Sequence, residues 1–173
     1  MKDEELPGDA STLIYLAKTS AFAEAGHCIT AILVPPAVWR EAVDDAERLD
    51  YPDVPQIRAA ADSGFLARIE LSDTEQALAG AIATQQRLGV GESEVLALGR
   101  RTGRALVDDG RAARVASSLG VVPISTLFLP VLGVRRGGLE RQAAIALLRK
   151  LAIVTNARAE TVYEIEAFID MVT

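Results

Sequence analysis

Two periods alternate along the chain. Residues 28–34, CITAILV, are almost wholly apolar and rich in β-branched side chains, which predicts a buried strand. FLARIEL (65–71) alternates with the period of two expected of a strand, and ALV (105–107) and VVPI (121–124) are short apolar runs of the same kind. Between them the period is helical. ASTLIYLAKTSAF (10–22) is one such segment, and AVWREAVDDAERL (37–49), opened by Pro35-Pro36, is another. YPDVP leads into the short helical piece IRAAADS, closed by Gly64. Ser72-Asp73-Thr74-Glu75 offers caps for a helix to about Arg87. LGVGES interrupts the pattern before EVLALGRR, and 110–119 is helical again. Strands separated by helices of this length pair in parallel through right-handed crossovers. The expectation is an α/β fold: a three-layer α/β/α sandwich around a central parallel sheet of about four to five strands.

After STLFLPVLGVRRGG the pattern is helical at ERQAAIALLRKLA and at RAETVYEIEAFIDMV. Ala144, Leu147, Leu148 and Leu151 recur at helical spacing in the first, and Val162, Ile165, Ile169 and Val172 in the second. This divides the chain into a core over 1–138 and a C-terminal helical extension over 139–173. The extension packs on the same domain or at a dimer interface. The expected assembly is a homodimer in which one of these helices, or the 125–136 segment, contributes to the contact.

The 173 residues suit one domain, and with half of them apolar they can bury a substantial core. The net charge of −6 repels nucleic acid overall, so any such role needs a local basic patch. The arginines available are Arg100, Arg101, Arg104, Arg111, Arg114, Arg135 and Arg136. Cys28 is the only cysteine and His27 the only histidine, which excludes an intrachain disulfide and a thiolate zinc site. The acidic start MKDEELPGD lacks a secretory apolar core, and the apolar run 120–134 is too short and too interrupted to span a bilayer. A cytoplasmic protein without a membrane partner is expected.

The candidate chemistry is acidic. Asp9 precedes a predicted helix, Asp108 and Asp109 follow the strand 105–107, and Glu92 and Glu94 lie in GVGESEVLALG. In open parallel sheets, ligands sit beyond the carboxyl ends of strands, where Asp9, Asp108 and Asp109 fall. Asp9 and Asp109 are also in position to cap the helices that follow them. Glu41 lies about 60° beyond the apolar arc of Val38, Trp39, Ala42, Val43, Ala46 and Leu49, a solvated flank by periodicity alone. Trp39 shares that arc and is expected in the core. Glu92 and Glu94 point to different sides of a regular helix.

DASTLIYLAK, LVPPAVWREAV, LGVGESEVLALGRR and ALVDDGRAARVASSLGVVPIST, in this order over about residues 7–135, resemble the segments of a PIN-like domain. The resemblance points to an uncharacterised branch related to VapC toxins. It implies a helix-sandwiched parallel sheet and Mg²⁺- or Mn²⁺-dependent endonucleolytic cleavage of RNA. By that resemblance Asp9, Glu41, Glu94 and Asp109 are the catalytic acids, with Glu92 the close alternative to Glu94. The metal ligands come from Asp9, Glu94, Asp109, Glu92 and Asp108, with Asp109 towards the metal and Asp108 supporting it or facing outward. Ser125 or Thr126 supplies a hydroxyl after the last strand, and Ser11, Thr126, Arg111 and Arg114 contact substrate. The implied partners are RNA and, for a toxin of a toxin–antitoxin pair, an antitoxin protein. Only Leu6-Pro7-Gly8 precedes Asp9, so the first strand is expected to be short.

Clustered carboxylates without His or Cys suit Mg²⁺ and Mn²⁺, which prefer oxygen ligands and keep several waters. A cation offsets repulsion that would raise the carboxylate pKa values, and lowers the pKa of a water for attack on a phosphodiester. The alternative from another class is a PIN-fold module that binds RNA or protein without catalysis. An aspartyl-nucleophile phosphatase would want a second Asp two residues after Asp9, where Ser11 stands.

Overall fold

The structure is a computed structural model and describes residues 4–173. Five short parallel strands carry the fold: β1 (Glu5–Pro7), β2 (Ala31–Val34), β3 (Leu66–Arg68), β4 (Arg104–Leu106) and β5 (Val122–Ile124). The first three form one ladder in the order β1-β2-β3, and β4-β5 form a second. The two ladders meet at a single parallel bridge between Gly8 and Leu106. The sheet expected as one unit of four to five strands is therefore a three-stranded and a two-stranded ladder joined at one point.

Around the strands lie α1 (Ala10–Lys18), α2 (Phe22–Gly26), α3 (Pro36–Trp39), α4 (Ala46–Arg48), α5 (Val54–Asp62), α6 (Asp73–Gln86), α7 (Val90–Thr102), α8 (Gly110–Ser118), α9 (Leu129–Arg135), α10 (Arg141–Val154) and α11 (Ala159–Val172). Several depart from the periodicity. The helix expected over 10–22 ends at Lys18, where Ser20 turns left-handed (φ 51°), and α2 begins afresh. The helix expected over 37–49 widens to a π-helix over Arg40–Asp45 between α3 and α4. The strand expected over 28–34 starts only at Ala31, and that expected over 65–71 covers Leu66–Arg68. The segment after β5 is a 3₁₀ turn at Thr126–Phe128 followed by α9.

α7 packs on β1 and β4, α8 on β5, and α5 on β3 and α1. Leu6, Ile32, Leu96 and Leu106 are buried where the ladders and α7 meet. The C-terminal stripes are buried on their own chain: α10 and α11 pack against each other and on α9, with Ala144, Leu147, Leu148, Leu151, Ile165 and Ile169 buried. Within the described residues, no helix is long and apolar enough to cross a membrane.

Trp39 is buried, 7% exposed, with the Arg68 guanidinium 4.4 Å from its ring centroid. Trp39→Ala should cost about 3–5 kcal/mol of stability by urea denaturation. At Gly8 a methyl group would sit 2.7 Å from Ile32 Cγ2, so Gly8→Ala should cost about 1–3 kcal/mol by the same measurement.

Candidate metal centre

The hydrogen bonds of two consecutive residues place the first acid. Successive N–H groups of an extended strand point to opposite sides. Gly8 N–H donates to Leu33 O of β2 (3.1 Å), and Asp9 N–H donates to Leu106 O of β4 (3.3 Å). Asp9 thereby stands at the carboxyl end of β1, beside the carboxyl end of β4. It caps α1, with Oδ1 accepting from Thr12 N–H at 2.8 Å, and it is buried at 4% exposure. Its other oxygen, Oδ2, accepts only a long bond from Asp108 N–H, at 3.4 Å.

Asp108 is the acid that faces this position. Its Oδ1 accepts from Ser125 Oγ (2.7 Å) and Thr126 N–H (3.0 Å), and its Oδ2 from Thr126 Oγ1 (2.5 Å). The Thr126 hydroxyl is buried and lies 3.0 Å from that of Thr12, so one run of polar groups joins α1 to the turn after β5. Burial, with the Asp108 charge added, pushes the Asp9 carboxyl up to about 6 against bonds from Thr12 that pull it down. Tyr15 is half-buried on the same side of α1. Burial and the charges of Asp108 and Asp9 hold its phenol above its ordinary range.

The remaining acids are placed differently. Asp109 caps α8, its Oδ1 accepting from Arg111 N–H (2.8 Å) and Ala112 N–H (2.9 Å), and it is exposed. Glu94 Oε2 accepts from Ala37 N–H at 2.8 Å, tying α7 to the start of α3. Glu92 folds back on Gly89 N–H at 2.9 Å, as the third residue of α7. Glu41 is exposed on the π-helix, with its Oε2 over Gly91, where a methyl group would be 3.3 Å away. The residue as a whole is exposed, but its carboxyl is partly desolvated; that first, then the charges of Glu92 and Asp45, raises it. The structure thus joins Asp108 to Asp9, and the charge of Glu92 acts on Glu41. Among the described residues, no three His, Cys, Asp or Glu side chains group closely enough to hold one ion. Ser11 is half-buried in the first turn of α1, and Arg111 and Arg114 lie exposed on α8.

Sequence reasoning missed Thr12 and Tyr15. Their signal was a three-residue step from Asp9, which keeps polar groups near the start of α1. The donor set at Asp9 and Asp108 is all oxygen, one buried carboxylate with a lightly used oxygen and a second fixed by three donors. That fits Mg²⁺ or Mn²⁺, which take one or two protein carboxylates and fill the other positions with water or phosphate. Cys28 offers no alternative chemistry. Its thiol is buried, pushed up to about 12 mainly by desolvation, and lies by Gly133.

A family model described as DUF3368: PIN domain matches residues 8–164. The match runs past the 7–135 span of the sequence resemblance, through α10 and into α11. No curated protein and no solved structure matches the chain.

A carboxyl raised from 3.8 to about 6 contributes stability that is fully present below pH 3.8 and lost as pH rises through 6. Asp9→Asn keeps the Thr12 cap and removes the charge. In EDTA at pH 8 it should raise Tm by several degrees, and at pH 3.5 it should change Tm little. Equal shifts at both pH values in thermal melts would contradict the placement of Asp9.

Proposed function

The chain belongs to the PIN-domain family, and on that premise we propose that it is a metal-dependent endoribonuclease. The family supplies a nuclease-type fold, and nucleases of the family generally use divalent metals. The observation that carries the reading further is the pairing of Asp9 and Asp108 at the carboxyl ends of adjacent parallel strands, where the Asp108 charge acts on Asp9. In this proposal Asp9 and Asp108 hold Mg²⁺ or Mn²⁺, with Asp108 in the place that the resemblance gave to Asp109. Glu41 and Glu92 form a second acidic edge, and Glu94 and Asp109 brace helix starts. When bound, the ion supplies a water of lowered pKa and neutralises charge on the phosphate.

The protein's own groups do the positioning. Ser125 and Thr126 fix the Asp108 carboxylate through three hydrogen bonds, leaving it little freedom to turn away from Asp9. The α1 N-terminus steadies Asp9 through Thr12 N–H. Burial and the charges of both carboxylates keep the Tyr15 phenol protonated. A protein nucleophile is not required, in keeping with a buried Cys28 and a single exposed His27. A toxin role, an antitoxin partner, a cytoplasmic setting and a homodimer rest on the sequence resemblance alone. The burial of the α10 and α11 stripes within their own chain lends the homodimer no support.

Purified protein with Mn²⁺ should cleave a labelled single-stranded RNA. Asp9→Asn and Asp108→Asn should abolish cleavage and Mn²⁺ binding by calorimetry while leaving the helical circular dichroism intact. Thr126→Val, which removes the hydroxyl donor to Asp108 Oδ2, should cost about 10–100-fold in activity. Asp109→Asn retains a capping side chain and should lose far less than Asp108→Asn. The reverse ranking would return the metal site to Asp109. Tight RNA binding without cleavage in either Mg²⁺ or Mn²⁺ would favour the non-catalytic module.

A further inference from the structure

Of the eight large apolar side chains left exposed among the described residues, four lie on the α10–α11 hairpin: Ile153, Tyr163, Phe168 and Met171. α11 buries one face against α9 and α10 and carries the last three of these outside it. We infer that this outer face of α11 is a docking surface for a basic amphipathic helix of another protein. None of the residues assigned to metal or substrate lies on α11, and the inference does not rest on the nuclease reading.

The helical spacing makes the face continuous. Tyr163, Ala167 and Met171 follow one another at steps of four, and Phe168 closes an arc of about 140° from Tyr163. Tyr163 and Met171 are each 70% exposed, and Ala167 is exposed between them. The face has fixed edges. Along one, the Phe168 ring meets Phe128 edge to face, with centroids 5.7 Å apart. Along the other, Glu166 and Asp170 pair with Arg149 and Arg141 of α10. Ile153, 81% exposed, follows Arg149 by one turn on the same side of α10 and so extends the face at its Tyr163 end. From Tyr163 to Met171 the row is about 12 Å long, room for about two turns of a helix laid alongside. Single exposed apolar side chains are ordinary, but a contiguous row rimmed by polar groups marks an interaction surface.

Charge decides what fits it. α11 carries Glu160, Glu164, Glu166 and Asp170 and no lysine or arginine, whereas α10 carries Arg141, Arg149 and Lys150 and no acid. Those cations are already engaged, two on α11 and Lys150 on Glu24. Glu160 and Glu164 make no ion pair among the described residues. Both are exposed and fall within the arc between Tyr163 and Phe168. Four residues apart on one face, they repel each other. A lysine or arginine arriving between them offsets that repulsion while apolar neighbours one turn away cover Tyr163 and Met171. A second copy of this chain would instead bring its own free carboxylates against these two. A bilayer is no better match, because helices that lie on membranes carry lysine and arginine on the polar face, and anionic lipid would repel this one.

The test uses the full chain and two fluorescein-labelled synthetic helices of about 14 residues. One has leucine at helical spacing and lysine elsewhere, and the other has glutamate for every lysine. Anisotropy in about 0.15 M salt should show the wild-type chain binding the lysine helix, and the glutamate helix about tenfold more weakly or less. Tyr163→Ser with Met171→Ser leaves the charge unchanged and alters only exposed side chains, so Tm should stay within about 3 °C. That protein should bind the lysine helix about tenfold more weakly. Glu160→Lys with Glu164→Lys keeps the apolar row and should reverse the preference to the glutamate helix. No binding of the lysine helix by the wild-type chain, equal binding by the serine variant, or an unchanged preference in the lysine variant would overturn the inference. So would a dimer in sedimentation that the serine substitutions dissolve, which assigns the face to a second copy. Binding to phosphatidylglycerol vesicles that the same substitutions abolish would overturn it in favour of a membrane.

Discussion

A single bridge holds the site together. β1 is three residues long, and its end bonds β2 through Gly8 N–H and β4 through Asp9 N–H. The chains approach there so closely that any side chain at position 8 would strike Ile32. A residue without Cβ lets β2, β1 and β4 lie together without displacing Ile32, and their close approach makes the carboxyl ends of β1 and β4 neighbours. Asp9 and Asp108 are 99 residues apart in sequence and meet because of that contact. The burial of Asp9, its raised carboxyl and the polar run through Thr12 and Thr126 all follow from it.

Helix N-termini then sort the acids. A carboxylate at a helix start gains backbone donors and part of the helix dipole, and it is held by them. Asp109 and Glu94 are both used in this way, one on α8 and the other across the fold on α3. Asp108 instead accepts from the turn after β5, and Asp9 has one oxygen on a helix start and the other almost free. Burial raises the Asp9 carboxyl, the Asp108 charge adds to it, and among the described residues no cation of the protein is placed to offset that charge. An uncompensated pair of this kind is where an external divalent cation gains most.

The fold was readable wherever a residue type had one physical use. CITAILV is too apolar and branched for an exposed loop, and Pro35-Pro36 can stop a strand and open a helix but cannot continue either. Trp39 shared an arc with small apolar residues and is buried with them. Boundaries were less readable. Ser20 breaks the first helix without Gly or Pro to mark it, and the π-helix over Arg40–Asp45 has no signature in a pattern read at 100° per residue. The α10 and α11 stripes were visible, but their burying surface was not: α9 carries Pro130 and Gly133, which hid its helical character. For the site, the strand-end rule located Asp9 and the 108–109 pair. Within that pair the two acids differ in their partners: Asp109 caps α8 through one oxygen, Oδ1, while Asp108 accepts from Ser125 and Thr126 and gives its N–H to Asp9.

For a net-acidic chain to handle RNA, as proposed, its two charges must stay apart on a short length scale. At physiological salt a charge is screened within about 8 Å, so what an RNA phosphate meets is the local surface and not the total of −6. The α8 segment achieves that separation within one turn. Its N-terminus follows directly on Asp108 and Asp109, and Arg111 and Arg114 are its second and fifth residues. Asp109, by capping α8, neutralises part of its own charge against the helix dipole and lowers the repulsion a phosphate would feel on passing it. Asp109 thus stands as the cap between the Asp108 carboxylate and the arginines that follow on α8.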